Sequence, residues 1–331
     1  MAEKSISLIG VILMLFLITF WGSSFVVVKT ILSESLTPVA IATFRFLLAG
    51  GLFLISIILN RVRDRNYRIL VERKDIPLIV FLAFSGVTVF FIAQYTGIQM
   101  ASASVASILV CLLSPILISV VSAYMFKENL SRTQLLGIAI ASIGTLTVVV
   151  GGTFDLQGNL TFFLGSLVLL TTPLLWAAYT LLGKKIIQKY EPFLIVAYVN
   201  IIGGLFLVPF SLAENSINAI FSLTSQEWLA IFYLAFTCSL MGYFIWFYVI
   251  KRSNAAATSS FLFAEPLVTV LFAAVFIREE VTIFAVGGGF LIVIGVLLIT
   301  RWKTRFSSSR VEGLFAVSSS CSVQKNSSQI P

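Results

Sequence analysis

Apolar residues in this chain do not alternate with polar ones as on a surface helix or a half-buried strand. They run on in stretches of about 20 residues, from one end of the sequence to the other. Ten stretches are legible: 6–30, 37–59, 76–98, 101–126, 132–151, 160–182, 192–212, 227–250, 254–277 and 281–300. A helix rises about 1.5 Å per residue, so about 20 residues cross roughly 30 Å of hydrocarbon. A strand-built barrel would read instead as alternating segments of roughly ten residues. The pattern therefore predicts an all-α membrane protein of ten transmembrane helices. The first stretch is long and lacks a small-residue cleavage site, so it reads as a helix rather than a removable signal.

Composition agrees. The 331 residues are 59% hydrophobic and only 11% charged, against about 25% charged in soluble domains. Mean hydropathy is +1.04. A chain of this kind cannot cover its surface with polar groups, which excludes an ordinary water-soluble enzyme, a disordered protein and a disulfide scaffold. There is no histidine, and the three cysteines show no metal-ligand spacing, so no cofactor or metal is expected.

The net charge of +8 adds topology rather than a nucleic-acid partner. If ten helices alternate in direction, 19 of the 22 Lys and Arg residues fall on one side, six of them in loop 60–75. The positive-inside rule then puts both termini in the cytoplasm. Residues 301–331, rich in serine and without a periodic apolar face, read as a disordered cytoplasmic tail.

The chain also repeats itself. Gly50-Gly51-Leu52-Phe53-Leu54 recurs as Gly203-Gly204-Leu205-Phe206-Leu207, an offset of 153. Pro115, Glu128, Gly137 and Gly144 recur as Pro266, Glu279, Gly288 and Gly295, all at 151, and Trp21 and Lys29 recur as Trp176 and Lys184 at 155. This predicts one five-helix unit used twice, over 6–151 and 160–300. Five is odd, so the second copy enters the membrane from the opposite side. Such inverted repeats are characteristic of secondary transporters, which expose one central site to each side in turn. The glycine pairs, seven residues apart on one helix face, are expected to let helices approach closely.

Polar groups deep in hydrocarbon are costly and so become the candidates for function. Arg45 lies roughly 13 Å into the second helix and Glu265 roughly 16 Å into the ninth, both near the midplane. They either pair or each face a cavity. Trp21, Ser24, Gln94, Tyr95, Ser114, Trp176, Tyr179, Tyr243 and Trp246 are further cavity candidates, and Pro115, Pro173 and Pro266 are candidate helix breaks that free backbone carbonyls. No nucleophile–base pair or phosphate loop is present, so no catalytic residues are expected. The reading is a carrier for a small molecule in a lipid bilayer, driven by a proton or ion rather than by ATP, working as a monomer or homodimer. An intramembrane enzyme or a sensor without transport is the alternative.

The motifs resemble the EamA family of the drug/metabolite transporter superfamily. Those that carry the likeness are Trp21-Gly22-Ser23-Ser24-Phe25 with Lys29, Pro38, Arg45-Phe46, the run from Ala101 to Pro115 and Lys127-Glu128. Trp246-Phe247-Tyr248, Ala255-Ala256-Ala257, Glu265-Pro266 and Arg278-Glu279 follow in the second half. The resemblance implies a ten-helix carrier that exports amino acids or related metabolites, or takes up small organic solutes. It also implies a cavity lined chiefly by helices 1, 3, 4, 6, 8 and 9. Where the family often places glycine before the closing glutamate of each repeat, this chain has Lys127 and Arg278.

Overall fold

The structure, a computed structural model, describes residues 6–33, 36–65, 67, 69–101, 103–125, 131–151, 160–278, 283 and 286–299. Lys127-Glu128, Glu279 and the serine-rich tail 301–331 lie outside them. Among the described residues there is helix and connecting turn, and no strand.

The helices are α1 (Leu8–Ile31), α2 (Pro38–Arg63), α3 (Arg73–Met100), α4 (Ala103–Met125), α5 (Arg132–Gly151), α6 (Leu160–Leu169 with Thr171–Ile186), α7 (Pro192–Ala213), α8 (Ser225–Arg252), α9 (Ala255–Phe276) and α10 (Val286–Ile299). Among the described residues seven helices are long and apolar enough to cross a membrane: α1, α2, α3, the span Leu167–Ile186 within α6, α7, α8 and α9. Their starts follow from local chemistry. The Ser7, Thr37, Thr224 and Asn254 side chains accept backbone N–H groups at the starts of α1, α2, α8 and α9. Thr224 and Glu227 complete a capping box. Outward faces stay apolar, as with Leu54, Ile55, Ile58 and Leu59 on α2, which is tolerable only against lipid.

Two glycine crossings hold the bundle. A Cβ on Gly137 would lie 2.8 Å from the carbonyl oxygen of Gly295, and one on Gly144 would lie 2.6 Å from that of Gly288. Position rises along α5 as it falls along α10, so the two helices run antiparallel. α2 and α7 cross in the same way, with Gly50 on Ile201 and Gly204 on Phe46. Without side chains the backbones reach van der Waals contact, which supplies attraction where lipid removes any hydrophobic drive between helices.

The three prolines named as candidate helix breaks resolve differently. α4 runs unbroken through Pro115, because neighbouring elements hold a membrane helix through one missing hydrogen bond. α6 does break, at Leu170, three residues before Pro173. The proline cannot donate to the carbonyl of Leu169, and the Thr172 hydroxyl takes that carbonyl at 2.7 Å. α9 also breaks. A 3-10 turn over Ser260–Ala264 precedes Pro266, and the Glu265 N–H closes onto Leu262.

Two π-helical turns had no signal in the sequence. They occupy Phe84–Val89 in α3 and Leu234–Met241 in α8, about 151 residues apart. A π turn widens the ring of backbone bonds and re-aims the side chains that follow. In α3 those are Phe90, Phe91, Gln94 and Tyr95. In α8 they are Tyr243 and Trp246.

Candidate functional site

Trp21 and Trp176, which correspond between the halves, meet edge to face with ring centroids 5.2 Å apart. Tyr243 and Trp246 pack on both, and Tyr179 packs on Trp176 and Tyr243. This aromatic block is held in place by backbone chemistry. The Trp21 indole N–H donates to the carbonyl of Cys238 at 3.0 Å, in the π turn of α8. Gly242 makes room for that indole, since a Cβ there would lie 2.5 Å from Nε1.

Against the block lies a cavity of about 40 Å³. It is lined by Trp21, Ser24, Arg45, Gln94, Trp176, Tyr243 and Glu265 among the residues expected from sequence, together with Phe25, Phe90, Phe91, Val110 and Leu262. Tyr95, Tyr179 and Trp246 stand one layer behind. Ser114 is fully buried, its hydroxyl has no partner, and it is not on the lining. Asn200 is likewise buried, with its amide donating within its own helix.

Arg45 is 2% exposed, and its hydrogen-bond partners are neutral groups. Its Nε donates to Ser239 Oγ at 2.8 Å and its Nη1 to the Tyr95 hydroxyl. Its guanidinium carbon lies 4.6 Å from the centre of the Phe91 ring and 5.0 Å from that of Phe46. Ring faces and hydroxyls solvate the cation but do not neutralise it.

Glu265 is 3% exposed. One oxygen, Oε2, accepts from the Cys111 thiol at 2.8 Å, and the other, Oε1, has no partner. The expectation that Arg45 and Glu265 either pair or face a cavity resolves to the second: no ion pair joins them among the described residues, and both line the same space. The phenylalanine walls were illegible because the chain has 30 phenylalanines. Ser239 and Cys111 were illegible because each meets its charge across more than 150 residues of sequence.

The two ends of the bundle are tied differently. At the end with the basic loops, Lys189 bridges Glu72 at 2.6 Å and Asp75 at 2.6 Å, and the Tyr190 hydroxyl donates to Asp75 at 2.6 Å. Lys251 donates to the Tyr190 carbonyl at 2.9 Å. At the other end a hydrogen bond from Thr37 to Glu214, 3.0 Å, joins the corresponding loops, and Lys29 reaches the Ile98 carbonyl at 3.4 Å.

Comparison with known proteins adds a lineage. A model of the EamA-like transporter family matches residues 8–150 and again residues 163–301. The chain is 30% identical over 311 residues to the uncharacterized transporter YdfC of Bacillus subtilis, covering 90% of this chain and 95% of that protein. It is 28% identical over 280 residues to an uncharacterized transporter of Archaeoglobus fulgidus, covering 85% and 93%. It is 26% identical over 314 residues to a protein of Salmonella typhimurium named as a probable amino-acid metabolite efflux pump, covering 91% and 98%. A solved crystal structure superposes with a TM-score of 0.71 at 17% identity, over 90% of this chain and 98% of the other, which speaks to fold alone.

Proposed function

The chain belongs to the EamA-like transporter family and is a multi-pass membrane transporter, and from that premise we propose a secondary carrier that exports a small amino acid or a close relative by alternating access. In this reading ten helices cross the plasma membrane as two inverted five-helix repeats, 6–151 and 160–300, with both termini cytoplasmic. The antiparallel glycine crossings and the paired π turns support the repeat.

One observation carries the substrate class. Arg45 and Glu265 present a guanidinium and a carboxyl to one cavity without touching each other. A buried ion without a counterion is costly, so a ligand with a carboxylate and an ammonium group supplies what each lacks. The tryptophan edges and the Phe90 and Phe91 rings fit the remaining apolar atoms. The efflux relatives agree with this class.

A cavity of about 40 Å³ holds a few waters at roughly 15 Å³ of such volume each. It does not hold an amino acid, so the site must widen to load. The Lys189 cluster closes the end with the basic loops, and a lighter contact holds the other. Exchange between these two closures is the motion proposed, with Glu265 the group that couples it to a proton or ion.

Flux in proteoliposomes against a panel of labelled L-amino acids tests the reading. The expected result is saturable movement of a subset, together with thermal stabilisation by the same compounds. Folded protein that neither moves nor is stabilised by any of them overturns the substrate class. Covalent conversion without flux favours an enzyme instead.

A further inference from the structure

We propose that Cys111 is a positioning residue, whose thiol turns the Glu265 carboxyl so that one oxygen is held and the other is left unpaired in the wall of the cavity. The inference deepens the cavity reading above. The backbone of Glu265 is already fixed. Thr269 Oγ1 lies 3.0 Å from the carbonyl oxygens of both Gly22 and Glu265, and a Cβ on Gly22 would lie 3.1 Å from the Glu265 carbonyl oxygen. α1 and α9 are therefore clasped together at this point, and only the side-chain torsions of Glu265 remain to be set.

Among the described residues one donor reaches that carboxyl, the Cys111 thiol of α4, at 2.8 Å from Oε2. Both residues are buried, and Oε1 is left with no partner. The other half of the chain supplies an internal control. At the 151-residue offset Glu265 corresponds to Ser114 and Cys111 to Leu262. Where leucine stands in the donor's place, the Ser114 hydroxyl is buried without a partner. The thiol also suits the task chemically. An S–H group is a weak, uncharged donor, so it orients a carboxyl without neutralising it as Lys or Arg would, and it releases the oxygen at little cost.

Two measurements on the purified full chain test this without any substrate. In a Cys238→Ala, Cys321→Ser background only Cys111 carries an S–H group, and its infrared stretching band falls in a region free of other protein bands. The band is expected at the lowered frequency of a hydrogen-bonded thiol and should rise in Glu265→Ala. A band that does not move overturns the proposal.

The second measurement is labelling of Glu265 by dicyclohexylcarbodiimide, an apolar reagent that enters the membrane. Cys111→Val should slow it about fivefold, the scale of one modest hydrogen bond, and Cys111→Ser should restore it to within about twofold. Equal rates in all three, or a serine variant that behaves like valine, would reduce Cys111 to packing. If Cys111→Val does not fold, the serine variant and the infrared band still decide. A shifted band in a protein that moves no amino acid would leave the positioning intact and sink the transport reading alone.

Discussion

Arg45 on α2 corresponds, at the 153-residue offset, to Tyr198 on α7, and Glu265 on α9 corresponds, at 151, to Ser114 on α4. The two halves thus place charge at positions that do not match. The glycine crossings and the π turns do match. A duplicated scaffold needs the same close backbone contacts in both copies, because those contacts set the angle between helices. A binding site on its axis needs the opposite: a carboxylate and an ammonium group are different, so the two sides that grip them must differ as well.

The largest expected effect falls on the asymmetric cation. Arg45→Ala removes two hydrogen bonds and two ring contacts and leaves Tyr95 and Ser239 facing a void. The expected loss is about 3–4 kcal/mol, read as a lowered thermal midpoint in detergent. Tyr198→Phe deletes one half-exposed hydrogen bond to Ile69 and should cost about 1 kcal/mol or less. Comparable losses at both sites would mean that the halves share their burden, contrary to the geometry.

Symmetric positions should fail equally. A Cβ at Gly144 meets the Gly288 carbonyl at 2.6 Å and the Ile292 nitrogen at 2.8 Å, and one at Gly295 meets the Gly137 carbonyl at 2.6 Å. These are backbone atoms and cannot rotate away. Gly144→Ala and Gly295→Ala should each cost about 1–3 kcal/mol. The same assay should find the two within about 0.5 kcal/mol of each other, and a large imbalance would argue that only one of the two contacts in this crossing holds the helices together.

Glu265→Gln comes next. The amide keeps the shape and still accepts from Cys111, so stability should change by about 1 kcal/mol or less, while stabilisation by amino acids should disappear. Arg45 and Glu265 do not touch but line one cavity, so their effects on stability should add to within about 1 kcal/mol. A double variant milder than the sum would restore a direct pair.

Much of this was legible from sequence, for reasons that also mark the limit. Helix spans follow from the length of apolar runs, and the depths of Arg45 and Glu265 follow from counting along them. The expected helix breaks were less reliable. Pro115 and Pro266 are the same residue at corresponding positions, yet α4 continues unbroken through one, while α9 tightens to a 3-10 turn just before the other and then resumes. Which way a proline resolves depends on neighbours, such as the 3-10 turn that re-pairs the Leu262 carbonyl, and a sequence does not display neighbours. The π turns were hidden for a similar reason. They have no residue signature, and only the packing that needs them gives them away. Ser114, chosen because it precedes a proline, is off the cavity, whereas its counterpart Glu265 is on it.

A smaller effect concerns the turn after α9. Arg278 has φ 58°, in the left-handed region, where a side chain costs about 1 kcal/mol that glycine avoids. This is one of the two places where the family often has glycine. Arg278→Gly should therefore raise stability by up to about 1 kcal/mol. No gain would show that the arginine side chain makes contacts worth as much as the strain.

The smallest effect on stability, and the most telling about motion, is expected at the ties between loops. Lys189, Glu72 and Asp75 are solvent-facing, so their ion pairs add little to folding, but they join the two halves at one end only. The Lys189 ammonium, with Lys74, holds the Glu72 carboxyl below its ordinary value of 4.5. Asp75 and Glu72 hold the Lys189 ammonium above its ordinary 10.5. The signs fix a window. The carboxylate contribution is present above pH 4.5 and is lost as pH falls through the lowered value. The lysine contribution is present below pH 10.5 and is lost as pH rises through the raised one. The tie should therefore hold in full from about pH 4.5 to about pH 10.5 and loosen only beyond those values. A Phe247→Cys reporter beneath it, in a chain whose three native cysteines are serine, reads this as reaction with an impermeant maleimide added from the basic-loop side. Labelling should be low and flat across the window and should rise at its acid edge. Lys189→Gln should raise it severalfold at neutral pH, while Thr37→Val at the other end should lower it or leave it alone. If Thr37→Val opened the reporter more than Lys189→Gln, the lighter contact would be the one that holds the bundle shut, and the difference between the two ends would lose its meaning.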